Sequence, residues 1–184
     1  NTIAKGSSTS AYGRLRLFEA LARYEMWDDT IALCNSTYLD PTTSSTEQAK
    51  RACALAEAHF SKGALEKGNQ YLTELASLEK APSKPTNFDN LLLEAEGYRE
   101  MSAGRYEAAT AKFEKVSYFP KERLAGLYLK MGKTEKALEL AKTSVSGRPN
   151  EVQPLATLIE ALASNGKITE ARTEFEKLQK ISEP

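Results

Sequence analysis

From Tyr12 onward, apolar residues recur at the three- and four-residue spacing of amphipathic helices, interrupted by short polar or glycine-bearing turns. In YGRLRLFEALARYEM, Leu17, Phe18, Leu21 and Tyr24 share one helical face. Leu15 and Ala22 take a second face, which leaves a narrow polar strip of Arg16, Glu19 and Arg23. A helix apolar over that much of its circumference needs neighbours on both sides. A return helix is predicted over 28–40, with Asp28 and Asp29 complementing the dipole at its start and Pro41 ending it. The alternation then repeats. Outgoing helices are predicted over 46–60, 88–102 and 154–164, with returns over 65–78, 106–118 and 169–181. A further pair, restarted by Pro120, folds back around Gly132. Ser45 or Thr46 is the expected N-cap of the second outgoing helix, and the two prolines of 80–87 mark a linker or mild hinge. Residues 1–10, rich in Ser and Thr, are expected to be flexible.

The turns align. Gly63, Gly104, Gly132 and Gly166 are 41, 28 and 34 residues apart, with Glu25 standing in for the first. Five residues after each glycine comes a small residue, Gly68, Ala109, Ala137 or Ala171. Nine after it comes Leu72, Phe113, Ala141 or Phe175. Tyr128 and Leu162 are the large apolar residues of their outgoing helices. This arrangement resembles the tetratricopeptide repeat (TPR), whose period is about 34 residues. The first repeat departs most, with Glu25 at the turn and Thr30 at the small position. The resemblance implies an all-α, right-handed α-solenoid of about five antiparallel hairpins, over approximate repeats 11–43, 44–84, 85–119, 120–150 and 151–184.

Composition narrows the function classes without naming one. The 184 residues carry 25 Lys+Arg and 25 Asp+Glu, so nothing in the net charge suggests capture of nucleic acid or anionic lipid. No apolar run approaches the roughly 18 residues of a membrane span, and the N-terminus has no apolar signal core. The chain is expected to be soluble, and it is either processed or part of something longer. Its compartment is open. Cys34 and Cys53 are expected as buried thiols rather than a bridge. The single histidine, His59, precludes a multi-His metal site and is expected as a half-exposed helix residue. No phosphate loop, nucleophile elbow or Cys-x-x-Cys pair occurs, so neither an enzyme nor a cofactor is implied. The sequon Asn35-Ser36-Thr37 is discounted because it falls within a predicted helix.

By the resemblance, the outgoing helices line a concave groove that contains Glu19, Glu57, Phe60, Glu94, Tyr98, Met101, Glu122, Arg123 and Glu160. The Lys, Arg and Asn clamp by which some family members grip a chaperone tail is missing, because Leu15, Glu19, Cys53, Glu57, Glu94, Tyr98 and Glu122 hold the corresponding positions. A glutamate in every repeat favours a basic or amphipathic segment over an acidic one, and Phe60, Tyr98 and Met101 are the expected anchors. The expected function is a non-enzymatic interaction module or scaffold that binds a protein, peptide or helical segment. The alternatives are a spacer that positions another domain, or self-association through the N-terminal helix.

Overall fold

The computed structural model describes residues 8–182, with side chains described over 10–181. Its ten helices are α1 (Ser8–Arg23), α2 (Trp27–Cys34), α3 (Ser45–Ser61), α4 (Leu65–Ser77), α5 (Phe88–Ser102), α6 (Tyr106–Phe113), α7 (Lys121–Lys130), α8 (Thr134–Gly147), α9 (Val152–Ser164) and α10 (Ile168–Ser182). A single 3-10 turn, Leu78–Lys80, extends α4. Of the described residues 75% are helical, and none is in a strand. Each odd-numbered helix packs against the even-numbered helix that follows it. Of the segment expected to be flexible, residues 1–7 lie outside the described residues, and Ser8–Ser10 already belong to α1.

One backbone device makes all five hairpin turns. Gly63, Gly104, Gly132 and Gly166 have φ between +70 and +75°, and Glu25 takes the same left-handed conformation at φ +54°. In each turn this residue's N–H bonds back to the carbonyl three residues earlier. The next N–H reaches the carbonyl five residues before itself, as in Met26 to Leu21 and Lys133 to Tyr128. That pair of bonds closes a helix C-terminus and satisfies its last carbonyls. The small residue five places on is buried in every hairpin, including Thr30, whose hydroxyl turns inward to bond the Met26 carbonyl at 2.8 Å.

The chain divides into two compact units between Val116 and Ser117, just before the restart at Pro120. The first unit has a core of Phe18, Leu21, Cys34, Leu39, Ala54 and Leu55, flanked by Leu17, Ile31, Leu33 and Tyr71. Farther along it, Phe60 lies over Gly68, where an added Cβ would come within 2.5 Å of the ring. Gly97 stands in the same relation to Phe113, at 2.4 Å. Tyr98 meets Phe113 edge-on at 5.3 Å and Trp27 at 5.8 Å. The second unit buries Leu124, Leu127, Tyr128, Leu138, Leu155, Leu158 and Leu162 between α7, α8 and α9.

Two helices are shorter than their patterns predict. α2 stops at Cys34 because the next residues offer the backbone other partners. The Ser36 hydroxyl bonds the Leu33 carbonyl and receives the Tyr38 N–H, and Arg51 takes the Cys34 and Leu39 carbonyls at 2.9 and 3.0 Å. Arg14 adds the carbonyls of Tyr38 and Asp40 and an ion pair to Glu47 at 2.7 Å. Residues 35–40 are therefore a stapled loop, and the sequon asparagine, Asn35, is exposed just past a helix end rather than inside one. α6 ends at Phe113, and the turns that follow bury Val116. The N-cap of α3 is Ser44, one or two residues earlier than expected, with its side chain accepting the Glu47 N–H.

Candidate functional site

Of the nine residues expected to line a binding groove, five are interior. Glu57, Phe60, Glu94, Tyr98 and Glu122 are each 7% exposed or less. Met101 and Arg123 are half-buried, while Glu19 and Glu160 are exposed. The two expected aromatic anchors therefore belong to the packing of α3 with α4 and of α5 with α6. The reason is visible in the glycines. Gly68 removes a side chain where the Phe60 ring needs the space, and Gly97 does the same for Phe113, the ring that Tyr98 meets edge-on.

The buried glutamates are equally committed. Glu122, in the first turn of α7, accepts from Ser144 Oγ at 2.7 Å and from Arg148, which also pairs with Glu151 at 3.1 Å. Burial alone would raise its pKa, but the bonds from Ser144 and Arg148 outweigh it and hold the carboxyl below its ordinary value. Glu57 and Glu94 flank Cys53 between α3 and α5. The Cys53 thiol donates to Glu57 Oε1 at 3.0 Å, and the Leu91 carbonyl oxygen is 3.4 Å away. Burial first, and then both carboxylates, push the Cys53 thiol well above its ordinary pKa. Cys34, buried beside Arg51 and Arg14, is pushed up to about 11, chiefly by burial. Both thiols are unbridged.

His59 is not the half-exposed residue expected. It is 7% exposed and stacks on Tyr71 with the rings 5.5 Å apart and 6° from parallel. Burial, and then the nearby Lys67, lower its pKa. It is a packed, neutral aromatic.

Several apolar side chains reach the surface, some on the N-terminal helix already offered as a self-association face and others on α10, which the sequence did not single out. Tyr12, Tyr24 and Tyr38 are more than half exposed around α1 and α2. On α10, Ile168, Phe175 and Ile181 are 50%, 49% and 38% exposed. Phe175 is the informative one. Its counterparts in the earlier hairpins, Leu72, Phe113 and Ala141, are all buried, and α4 and α8 each pack against the first helix of the next hairpin. Ile168 is less telling, because its counterpart Leu65 is also 46% exposed. Beside α10, a cleft of about 420 Å³ has Val145, Leu158 and Leu162 on its floor and Lys142, Glu170 and Glu174 at its rim.

No family model matches the chain, and no curated protein matches it in sequence. Solved structures do match its fold. It is similar to MamA MSR-1, at 18% identity over 94% of each chain, with a TM-score of 0.53. It is similar to MamA AMB-1, at 19% identity over 95% of this chain and all of that one, with a TM-score of 0.52. A further MamA crystal structure is 13% identical over 95% of this chain and 93% of that one, at 0.50. The fold is an all-α, TPR-like solenoid. At such identities the likeness speaks for the fold alone. No helix among the described residues is long and apolar enough to cross a membrane.

Proposed function

We propose that this protein is a non-enzymatic interaction module that binds an amphipathic helical segment of a protein partner, with α10 as the main docking element. The observation that carries the reading is Phe175, an aromatic at a position buried elsewhere in the repeat, here half exposed. A helix laid along Ile168 and Phe175 would take the place that α5 takes against α4 and α9 takes against α8. A large apolar side chain at the centre of such a contact is the kind that dominates binding energy, and helix-in-groove recognition uses this i, i+7 spacing.

The preference for a basic partner is weaker than the sequence suggested. Glu57, Glu94 and Glu122 are interior, so of the glutamates expected in the groove only Glu19 and Glu160 are exposed. Beside that stripe on α10, Arg172 and Glu176 are exposed and opposite in charge, which suits an amphipathic segment of either sign.

The test is selection of peptides from a displayed random library on the wild-type chain, followed by titration against Ile168→Ser/Phe175→Ser. Both residues are half exposed, so the variant should keep its circular dichroism spectrum. The selected peptides should be helical and should lose at least ~10-fold in affinity, in line with a side-chain anchor of about 1.4 kcal/mol or more. Unchanged affinity in the folded variant would count against α10 as the docking element.

A further inference from the structure

Three metal-ligating groups of two chemical kinds converge in the interior of the first unit. Cys53 and Glu57 are one turn apart on α3 and project from the same face, and Glu94 comes from α5. The thiol sulfur and a carboxylate oxygen of each glutamate all lie within 4.8 Å of one another. The three residues are 1%, 2% and 7% exposed. Sγ is 3.0 Å from Glu57 Oε1, and the Leu91 carbonyl oxygen is 3.4 Å from Sγ. An ordinary helix contact is filled with alkyl groups, because buried carboxylates must be neutralised. Lys50, one turn before Cys53, brings a positive charge to the cluster.

We propose that Cys53, Glu57 and Glu94 form a binding site for a borderline-soft divalent transition metal of the zinc class. The donor set selects the class. Calcium and magnesium take oxygen ligands, whereas a thiolate with carboxylates suits zinc and its neighbours. With metal–sulfur and metal–oxygen bonds of about 2.3 and about 2.0 Å, donors around a tetrahedral ion stand about 3.5 Å apart. The two long glutamate side chains would have to rotate to close the present spread to that separation, and the Leu91 carbonyl oxygen, 3.4 Å from Sγ, is a candidate for the fourth position. A divalent ion would also offset charge that the thiolate and two carboxylates bring into the interior, alongside the Lys50 ammonium. On binding, Cys53 gives its thiol proton to the buffer as the sulfur–metal bond forms, and nothing is oxidised or reduced. The ion would pin α3 to α5, two helices that already meet through side-chain packing, the Cys53–Leu91 contact and the nearby Thr86 to Thr46 hydrogen bond.

The experiment is titration of the metal-free full chain with zinc by equilibrium dialysis, and with cobalt(II) by absorption. One ion per chain is expected, with a thiolate-to-cobalt charge-transfer band in the near ultraviolet and a zinc-dependent rise in Tm. The band should vanish in Cys53→Ala, persist in Cys34→Ala, and require at least ~10-fold more cobalt in Glu94→Gln. If Cys53→Ala does not fold, Cys53→Ser serves, and it should bind zinc more weakly and show no thiolate band. A wild-type chain that binds no ion, shows no band, or keeps its band in the Cys53 variants overturns the proposal. Loss of the band in Cys34→Ala alone also overturns it.

Discussion

Gly132 is the clearest case of a single residue fixed by backbone conformation. Its φ of +70° lies where a Cβ is penalised, although the space around it is open. Gly132→Val should therefore lower stability by about 1–2 kcal/mol through strain alone, measured by denaturant unfolding. Glu25 is the mirror case, a non-glycine held at φ +54°. Glu25→Gly should stabilise, by up to about 1 kcal/mol, and a loss of that size would mean that the Glu25 side chain contributes more than its backbone costs. Titration is also decided residue by residue. Folding holds Glu122 below its ordinary 4.5, so its contribution is present above pH 4.5 and is lost as the pH falls through the lowered folded value. His59 is held below 6.5; the unfolded chain takes up that proton first, so stability is full above pH 6.5 and declines as the pH drops through the window beneath it. Glu122→Gln should be less stable than wild type near neutral pH, and the gap should narrow in acid. A gap that stays constant would show that the carboxylate's charge is irrelevant there.

At the scale of helices and hairpins, the sequence was legible wherever geometry leaves a local mark. The four turn glycines, Glu25 as their stand-in and the small residue five places later all occupy the roles their spacing suggests, because a left-handed turn and a close helix approach each restrict the residue at one position. Helix ends were less legible. The apolar period runs on through Tyr38 and Leu39, but α2 stops at Cys34 because Arg14 and Arg51, distant in sequence, capture the carbonyls that would have continued it. The burial of Phe60 and Tyr98 depended likewise on partners across the fold. Gly97 did leave a signal. A glycine inside a long helix costs about 1 kcal/mol unless something needs the space, and here the Phe113 ring does. Gly97→Ala should cost about 1–3 kcal/mol by overpacking, and much less in a Phe113→Leu background. Equal costs in both backgrounds would show that the ring is not the obstacle. Phe60→Ala and Tyr98→Ala, which would have been natural binding probes, should instead destabilise by about 3–5 kcal/mol.

For the whole molecule, the pattern of apolar and polar positions sufficed for the fold class, since five repeats of one device leave little else the chain can form. Far-ultraviolet circular dichroism should accordingly report helix far above the soluble-protein average of about a third. A binding face is harder to read in sequence, because side-chain exposure depends on which helices pack together. Phe175 follows the same spacing as Leu72 and Phe113 and differs from them in being half exposed among the described residues. Amide hydrogen exchange on the complex with a selected peptide tests this most directly. The account predicts added protection concentrated in Ile168–Ser182 of α10, with the faces of α1, α3 and α5 unchanged. Protection on those earlier helices with none on α10 would contradict it.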